Sequence, residues 1–140
     1  MDDAAIQGLD AFLQRVPYVR FLGMRVELAG DEMTTVLPFA QHLIGNPTIP
    51  ALHGGVIGAF LEMTALAQLS IAQPARRVPK TIDVTIEYLR PAAPRTGITC
   101  EAFGYKTTRS VGFVRAEAWD VDRADLVATA QAAFMLNPRG

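Results

Sequence analysis

Glu62 is the residue whose position most strongly suggests chemistry. It is the only Asp, Glu, Lys or Arg between Glu32 and Arg76, and it stands in the middle of an almost wholly apolar run, residues 52–72. A carboxylate buried without a partner is so unfavourable that it usually acquires a partner or a proton. Two interpretations follow: an acid or base in an apolar cleft, or a helix that touches the surface at this one point.

The sequence His53-Gly54-Gly55 precedes Glu62 by about two helical turns and supplies a second chemical group. Glycines at the start of a helix let a ligand approach closely, and the unpaired N–H groups there can hold an oxyanion. Glycines that serve only helix packing are the alternative. Gly54 and Glu62 are eight residues apart, which is about 12 Å along a helix axis. One helix therefore cannot direct both groups at one carbonyl, and a shared site predicts two antiparallel copies of the helix in a symmetric dimer.

Hydrophobic periodicity predicts the elements that position these groups. Residues 3–16 have the spacing of an amphipathic helix that ends at Pro17, and the long apolar helix begins at Gly54 or Gly55 and runs to residue 72. The proline-containing segment 41–50 predicts an irregular loop. Six strands are predicted over residues 24–28, 33–39, 81–88, 98–105, 111–120 and 126–136. A single antiparallel sheet wrapped around the apolar helix satisfies this order, so the predicted fold class is α+β.

Composition indicates one domain, residues 1–140, with the N-terminal helix in residues 1–17 and a frayed tail at 137–140. Thirteen basic and fourteen acidic residues give a net charge of −1, which argues against a nucleic-acid partner. The single cysteine, Cys100, cannot form an internal disulfide and fits a reducing compartment as an inert thiol. The acidic N-terminus lacks the basic region of a signal peptide, and the glycines and the carboxylate within residues 52–72 argue against a membrane span. We expect a cytoplasmic protein with no membrane partner.

Several short motifs together resemble one known family. They are His-Gly-Gly at residues 53–55, a carboxylate nine residues after the histidine, an asparagine in the preceding loop and a strand ending in Tyr-Leu-Arg-Pro-Ala at residues 88–92. Over about residues 23–136 the chain resembles the hotdog-fold thioesterases of the phenylacetate-pathway PaaI type. The resemblance implies a curved antiparallel sheet of about five to six strands around one long buried helix. It also implies an acyl-coenzyme A thioester bound at a homodimer interface, with dimers pairing into a dimer of dimers.

The resemblance also implies catalytic roles for individual residues. The Gly54 N–H and the Asn46 side-chain amide would polarise the thioester carbonyl. Glu62 of the partner subunit would act as a general base on water, or as a nucleophile through an anhydride. Thr81 would help to hold the water, and His53 would fix the turn by hydrogen bonding. Many relatives carry aspartate at the position of Glu62, so the choice between base and nucleophile stays open.

Substrate contacts are expected at the helix start and around the rim of the site. Gly55 lies where a ligand must come close to the helix. Positive side chains should meet the coenzyme A phosphates, and the resemblance favours Lys106 and Arg109, in the turn that joins two strands. Other candidates for the phosphates are Arg76, Arg77, Lys80 and Arg90. Apolar residues of the long helix that could line an acyl pocket, although core packing explains each equally well, are Phe60, Leu61, Met63 and Leu66.

Two other functions compete with thioester hydrolysis. One is a non-catalytic acyl-coenzyme A binding protein on the same fold, and the other is a hotdog hydratase or dehydratase, although the His-Phe-Pro motif of the dehydratases is missing. No metal is implied, because His42 and His53 are isolated from other ligand residues. No cofactor is implied either, because no Gly-rich phosphate loop follows a strand, and coenzyme A is part of the substrate.

Overall fold

The computed structural model describes residues 3–30, 32–72 and 79–136. Within them the helices are α1 (Asp3–Leu13), α2 (Pro17–Leu22) and α3 (Gly54–Ala72). The strands are β1 (Arg25–Ala29), β2 (Glu32–Leu37), β3 (Ile44–Asn46), β4 (Ala51–Leu52), β5 (Lys80–Tyr88), β6 (Ile98–Thr107), β7 (Val111–Trp119) and β8 (Leu126–Met135). Six of these strands form one antiparallel sheet in the order β1-β2-β6-β7-β8-β5. This sheet and the single long helix that packs against it confirm the predicted α+β architecture.

Helix α3 is the centre of the hydrophobic core, because its apolar side chains meet β6, β7 and β8. Phe60 and Leu61 are fully buried, and the hydroxyl of Thr64 bonds the hydroxyl of Thr35 on β2 at 2.6 Å. Among the described residues, 54–71 form the one helix that is long and apolar enough to cross a membrane, and half of that segment is buried inside the chain. Packing against the sheet accounts for its apolar composition.

The alternating pattern of the strands places one face of the sheet against α3. In β7 every second residue is buried, and Val114, Ala116 and Ala118 form the helix side. Cys100 lies on the same side of β6, where burial raises the pKa of its thiol to about 12. Such a thiol is protonated at neutral pH and is a poor nucleophile, in line with the predicted inert cysteine.

The N-terminal helix differs from the prediction, because α1 ends at Leu13 and Pro17 begins α2 instead of ending α1. Proline has no N–H to donate, and the first position of a helix needs none. Gly23, with φ of 75°, then ends α2 in the left-handed conformation. Asp10 ties α1 to the sheet by accepting a hydrogen bond from the Val26 N–H at 3.0 Å.

The predicted loop at residues 41–50 is more regular than its prolines suggest. A 3₁₀ turn at Gln41–Leu43 leads into β3, which pairs with β4 in a separate two-stranded sheet. The prediction of a frayed tail at 137–140 lies outside the described residues.

Candidate active site

The start of α3 carries a free hydrogen-bond donor. His53 caps the helix: its carbonyl oxygen accepts from Ile57 N–H at 3.1 Å, and its Nδ1 accepts from Gly55 N–H at 2.8 Å. Gly54 N–H finds no acceptor among the described residues, and Gly54 is exposed. A free N–H at the positive end of a 19-residue helix is suited to hold a carbonyl oxygen that gains negative charge.

The small sheet of β3 and β4 holds His53 from the other side. His53 N–H donates to Leu43 O at 2.8 Å, and a Cβ on Gly45 would lie only 2.7 Å from His53 Cα. Gly45 is therefore required for this close approach, a role that the sequence did not reveal. Asn46 ends β3, and its Oδ1 accepts from Thr48 N–H at 2.9 Å. The amide nitrogen of Asn46 has no partner within the described part of the chain and is free to donate.

Glu62 is half-buried on α3, and its carboxylate has one partner among the described residues. The hydroxyl of Thr81, on strand β5, donates to Oε2 of Glu62 at 2.8 Å. The other carboxylate oxygen is left to accept a proton or to contact a water. The structure thus brings together Glu62 and Thr81, two of the residues predicted for the site, in a direct hydrogen bond.

A β-bulge turns Thr81 toward Glu62. On β5, Val84 and Ile86 face the helix, so strict alternation would put Thr81 on the outer face. The pairing with β8 shifts between Thr81 and Asp83, which leaves Ile82 as an extra residue. Bulges of this kind redirect side chains next to functional sites, and here the bulge brings Thr81 to the helix side.

Tyr88, at the other end of β5, contacts the start of α3. Its hydroxyl donates to Gly54 O at 2.7 Å, and a Cβ on Gly58 would lie 3.1 Å from the same hydroxyl. In the sequence, Tyr88 is marked only as part of the motif at residues 88–92. The available sequence signal for this contact was the pair Gly54 and Gly58, which lie four residues apart and so leave room on one face of the helix for another side chain.

Arg90 was expected to contact substrate, but in the structure its side chain forms hydrogen bonds within the chain. Its guanidinium donates to both carboxylate oxygens of Asp120, at 2.9 and 2.5 Å, and to Asp125 O at 2.9 Å. The Arg90 guanidinium holds the pKa of the Asp120 carboxyl well below its ordinary value, against the opposing effect of burial, and N–H groups of Ala93 and Val121 add to the lowering. Arg90 therefore fixes the segment after β5 to the end of β7.

Three of the other predicted cations, Lys80, Lys106 and Arg109, lie at the end of the sheet where Thr81 lies. Lys106, near the end of β6, and Arg109, in the β6–β7 turn, are exposed and form no ion pair with any described residue. Lys106 pairs with Phe113 on β7, and Phe113 pairs with Ala133 on β8. Ala133 in turn pairs with Asp83 on β5, which is two residues from Thr81. Lys80 is exposed at the start of β5, whereas residues 76 and 77 lie outside the described ranges.

An apolar cavity adjoins the helix face that carries Glu62. It has a volume of about 420 Å³ and is lined by Phe12, Leu13, Arg15, Val16, Met63 and Leu66. Met63 follows Glu62 directly, and Leu66 lies one turn further on the same face of α3. Of the four predicted pocket residues, Met63 and Leu66 line this cavity, whereas Phe60 and Leu61 are fully buried and are not among its lining residues.

Comparison with known proteins agrees with the fold. The model of the family named "Thioesterase superfamily" matches residues 50–127, more than half of the chain. This chain belongs to the thioesterase superfamily. The matched segment contains α3 with both Gly54 and Glu62. The predicted thioesterase relationship, at the level of the superfamily, and the predicted hotdog fold are thereby confirmed, and thioester hydrolysis becomes the expected class of reaction.

Individual relatives match this chain over most of its length. A solved structure from Pseudomonas aeruginosa is 30% identical, with a TM-score of 0.84, and the match covers 94% of this chain and 98% of that one. A structure from Ralstonia eutropha JMP134, named as a thioesterase related to phenylacetic acid degradation, is 21% identical with a TM-score of 0.74, covering 91% and 98%. At that identity the likeness shows the fold alone. A Halobacterium salinarum protein named as an esterase is 30% identical over 95 residues, which span 65% of this chain and 62% of that protein.

Proposed function

We propose that the protein is a homodimeric hydrolase of acyl-coenzyme A thioesters, yielding a carboxylic acid and free coenzyme A. The observation that carries the proposal is the Glu62 carboxylate, held by the Thr81 hydroxyl at 2.8 Å on the accessible side of α3. A carboxylate with one oxygen held and the other open is suited to act as a general base on water.

The site is completed by a second copy of the chain. Gly54 and Glu62 lie eight residues apart on α3, about 12 Å, so one chain cannot direct both at one carbonyl. Strand β5 ends the sheet, pairs only with β8 among the described strands, and is exposed along most of its length. Such an unpaired edge accepts another strand. Antiparallel pairing of two β5 strands about residues 84 and 85 would place Thr81 opposite Tyr88 of the partner subunit, and hence Glu62 close to the partner's Gly54.

The reaction then follows from the two ends of the site. The Gly54 N–H, aided by the free amide of Asn46, polarises the thioester carbonyl. Glu62 of the partner subunit removes a proton from water as the water attacks, and the tetrahedral intermediate expels coenzyme A thiolate, which takes up the proton. Direct attack by Glu62, with an anhydride that water then opens, gives the same products. Single-turnover hydrolysis in ¹⁸O-labelled water separates the routes, because only the anhydride route labels Glu62 when water attacks the anhydride at the glutamyl carbonyl.

The two parts of the substrate fit two regions of the surface. The cavity beside Met63 and Leu66, about 420 Å³, suits an apolar acyl group, either aromatic or of medium chain length. Lys106 and Arg109 provide positive charge at the Thr81 end of the sheet for the phosphates of coenzyme A. Occupants of these two regions would meet at Glu62.

Thiol release tests the proposal. Wild type and Glu62→Gln are compared on aromatic, medium-chain and long-chain acyl-coenzyme A thioesters with a thiol-reactive dye, and Glu32→Gln, an exposed glutamate at the start of β2, is the matched control. We expect turnover in wild type and control, and a fall of about a hundredfold or more in Glu62→Gln. No turnover with any thioester, together with tight binding of the same ligands, would refute hydrolysis and favour an acyl-coenzyme A binding protein.

A further inference from the structure

Tyr88 reaches the start of α3 from a firmly held position. It is the last residue of β5, and the next two residues donate their N–H groups to Val127 O at 2.9 and 3.3 Å. Arg90 is further fixed by its ion pair with Asp120. Tyr88 is 54% exposed, yet its hydroxyl donates to Gly54 O at 2.7 Å. The sheet thereby holds the first turn of the helix at one defined point.

Two glycines make room for this hydroxyl. A Cβ on Gly54 would lie 3.5 Å from Tyr88 Cε1, an ordinary contact, whereas a Cβ on Gly58 would lie 3.1 Å from the hydroxyl oxygen and press on it. Glycine inside a helix is less stable than alanine. Gly58 therefore weakens α3 at the position where a methyl group would crowd the Tyr88 hydroxyl.

The hydrogen bond from Tyr88 continues through one peptide group to the capping histidine. The Gly54 carbonyl that accepts from Tyr88 belongs to the same peptide group as the Gly55 N–H, which donates to His53 Nδ1 at 2.8 Å. Hydrogen bonds in such a chain strengthen one another. Because Nδ1 is the acceptor, the neutral imidazole of His53 carries its proton on Nε2. One hydroxyl thus orients the turn that presents the free Gly54 N–H.

We propose that Tyr88 is a positioning residue for catalysis: through the Gly54–Gly55 peptide it fixes the oxyanion-binding N–H of Gly54 and the ring of His53. The proposal rests on the proposed function, since the N–H that Tyr88 positions is the one that would polarise the thioester carbonyl. Tyr88 contacts the turn and needs no contact with substrate. Its loss should therefore slow the chemical step without weakening substrate binding.

Tyr88→Phe removes only the hydroxyl, and Tyr105→Phe is the matched control, because Tyr105 is a similarly exposed tyrosine with no hydrogen bond to any described residue. We expect Tyr88→Phe to lower kcat about three- to tenfold, the effect of one ordinary hydrogen bond, with KM and melting temperature unchanged. Tyr105→Phe should match wild type. An unchanged kcat in Tyr88→Phe, or a loss that accompanies an equal loss of stability, would overturn the proposal.

Gly58→Ala provides a second variant that keeps the hydroxyl but crowds it. We expect it to lower kcat by a similar factor without lowering the melting temperature. In the Tyr88→Phe background the same substitution should have little further effect, because the atom it crowds is gone. Independent, multiplying effects of the two substitutions would overturn the proposal.

Nitrogen NMR of the His53 imidazole in the free protein separates this inference from the proposed function. Wild type should show one neutral tautomer with the proton on Nε2, and Tyr88→Phe a mixture of tautomers. Identical His53 spectra in the two proteins would overturn the role of Tyr88 whether or not thioesters are hydrolysed. Absence of thiol release from wild type would instead refute the proposed function, with the NMR comparison still deciding the positioning.

Discussion

Asp120→Asn tests whether Arg90 stabilises the fold rather than binding substrate. The Asp120 side chain is 2% exposed and accepts hydrogen bonds from Arg90 and from the N–H groups of Ala93 and Val121. Asparagine keeps the shape but leaves the Arg90 charge without its main partner. Breaking a buried ion pair costs about 3–5 kcal/mol. Because the Arg90 side chain is 28% exposed and also contacts Asp125, we expect a loss of about 2–3 kcal/mol in the free energy of unfolding.

The loss should depend on pH in a defined direction. Because Arg90 holds the pKa of the folded Asp120 carboxyl below its ordinary value, the stabilisation is complete above the unfolded-state pKa of about 3.9 and disappears as the pH falls through the folded-state pKa. The difference between wild type and Asp120→Asn should therefore be constant from about pH 5 to pH 8 and shrink below about pH 4.

Urea unfolding at fixed protein concentration, from pH 3 to pH 8, measures both effects. Asp83→Asn, an exposed aspartate on β5, is the control and should change the free energy of unfolding by less than about 0.5 kcal/mol. A loss of stability in Asp120→Asn no larger than that in the control would show that the Arg90–Asp120 pair does not support the fold. A loss as large at pH 3 as at pH 7 would show that the ionised Asp120 carboxylate is not the stabilising group.

Two further predictions concern the site and the packing. Thr81→Val removes the hydroxyl bonded to the Glu62 carboxylate, so kcat for thiol release should fall about tenfold or more. The control Thr99→Val, on the outer face of β6, should not change kcat, and equal rates in the two variants would contradict the proposed role of Thr81. Gly97→Ala would put a Cβ 2.5 Å from Leu37 O, so urea unfolding should show a loss of about 1–3 kcal/mol. In the control Gly104→Ala, the new Cβ would have no atom within 4 Å, so the free energy of unfolding should not change. An equally small change in Gly97→Ala would show that the backbone shifts to accommodate the methyl group.

The sequence was sufficient for the main elements because their hydrophobic patterns are long. The apolar run after His53 predicts α3 at its observed limits, and the strand boundaries agree to within about two residues, since each strand has one buried face. Short helices, turns and single contacts have too few residues to show a hydrophobic pattern in the sequence. Pro17 could either end one helix or begin the next, and the tight contact of Gly45 with His53 joins β3 to the residue after β4, so no local pattern shows it.

The candidate site was predictable to the extent that it depends on residue types along one helix. Glu62 stands out in the sequence because no other charge lies near it, and the glycines before it mark an open helix start. Tyr88 and Arg90 stand two residues apart in one motif, yet their contacts differ. Tyr88 lies inside the strand and faces the helix, whereas Arg90 follows the strand and meets Asp120, 30 residues later. Only the register of β5 against β8 separates these two roles.

The same register decides whether Glu62 has a partner at all. Polar and apolar residues alternate from Thr81 to Tyr88, which predicts that Thr81 shares the outer face with Asp83. The bulge shifts every residue before Asp83 to the opposite face. Its extra residue, Ile82, is apolar but 52% exposed, so the alternation of polar and apolar residues does not reveal the bulge. Since both registers are compatible with the same alternation, the contact between Thr81 and Glu62 follows from how β5 pairs with β8 and not from β5 itself.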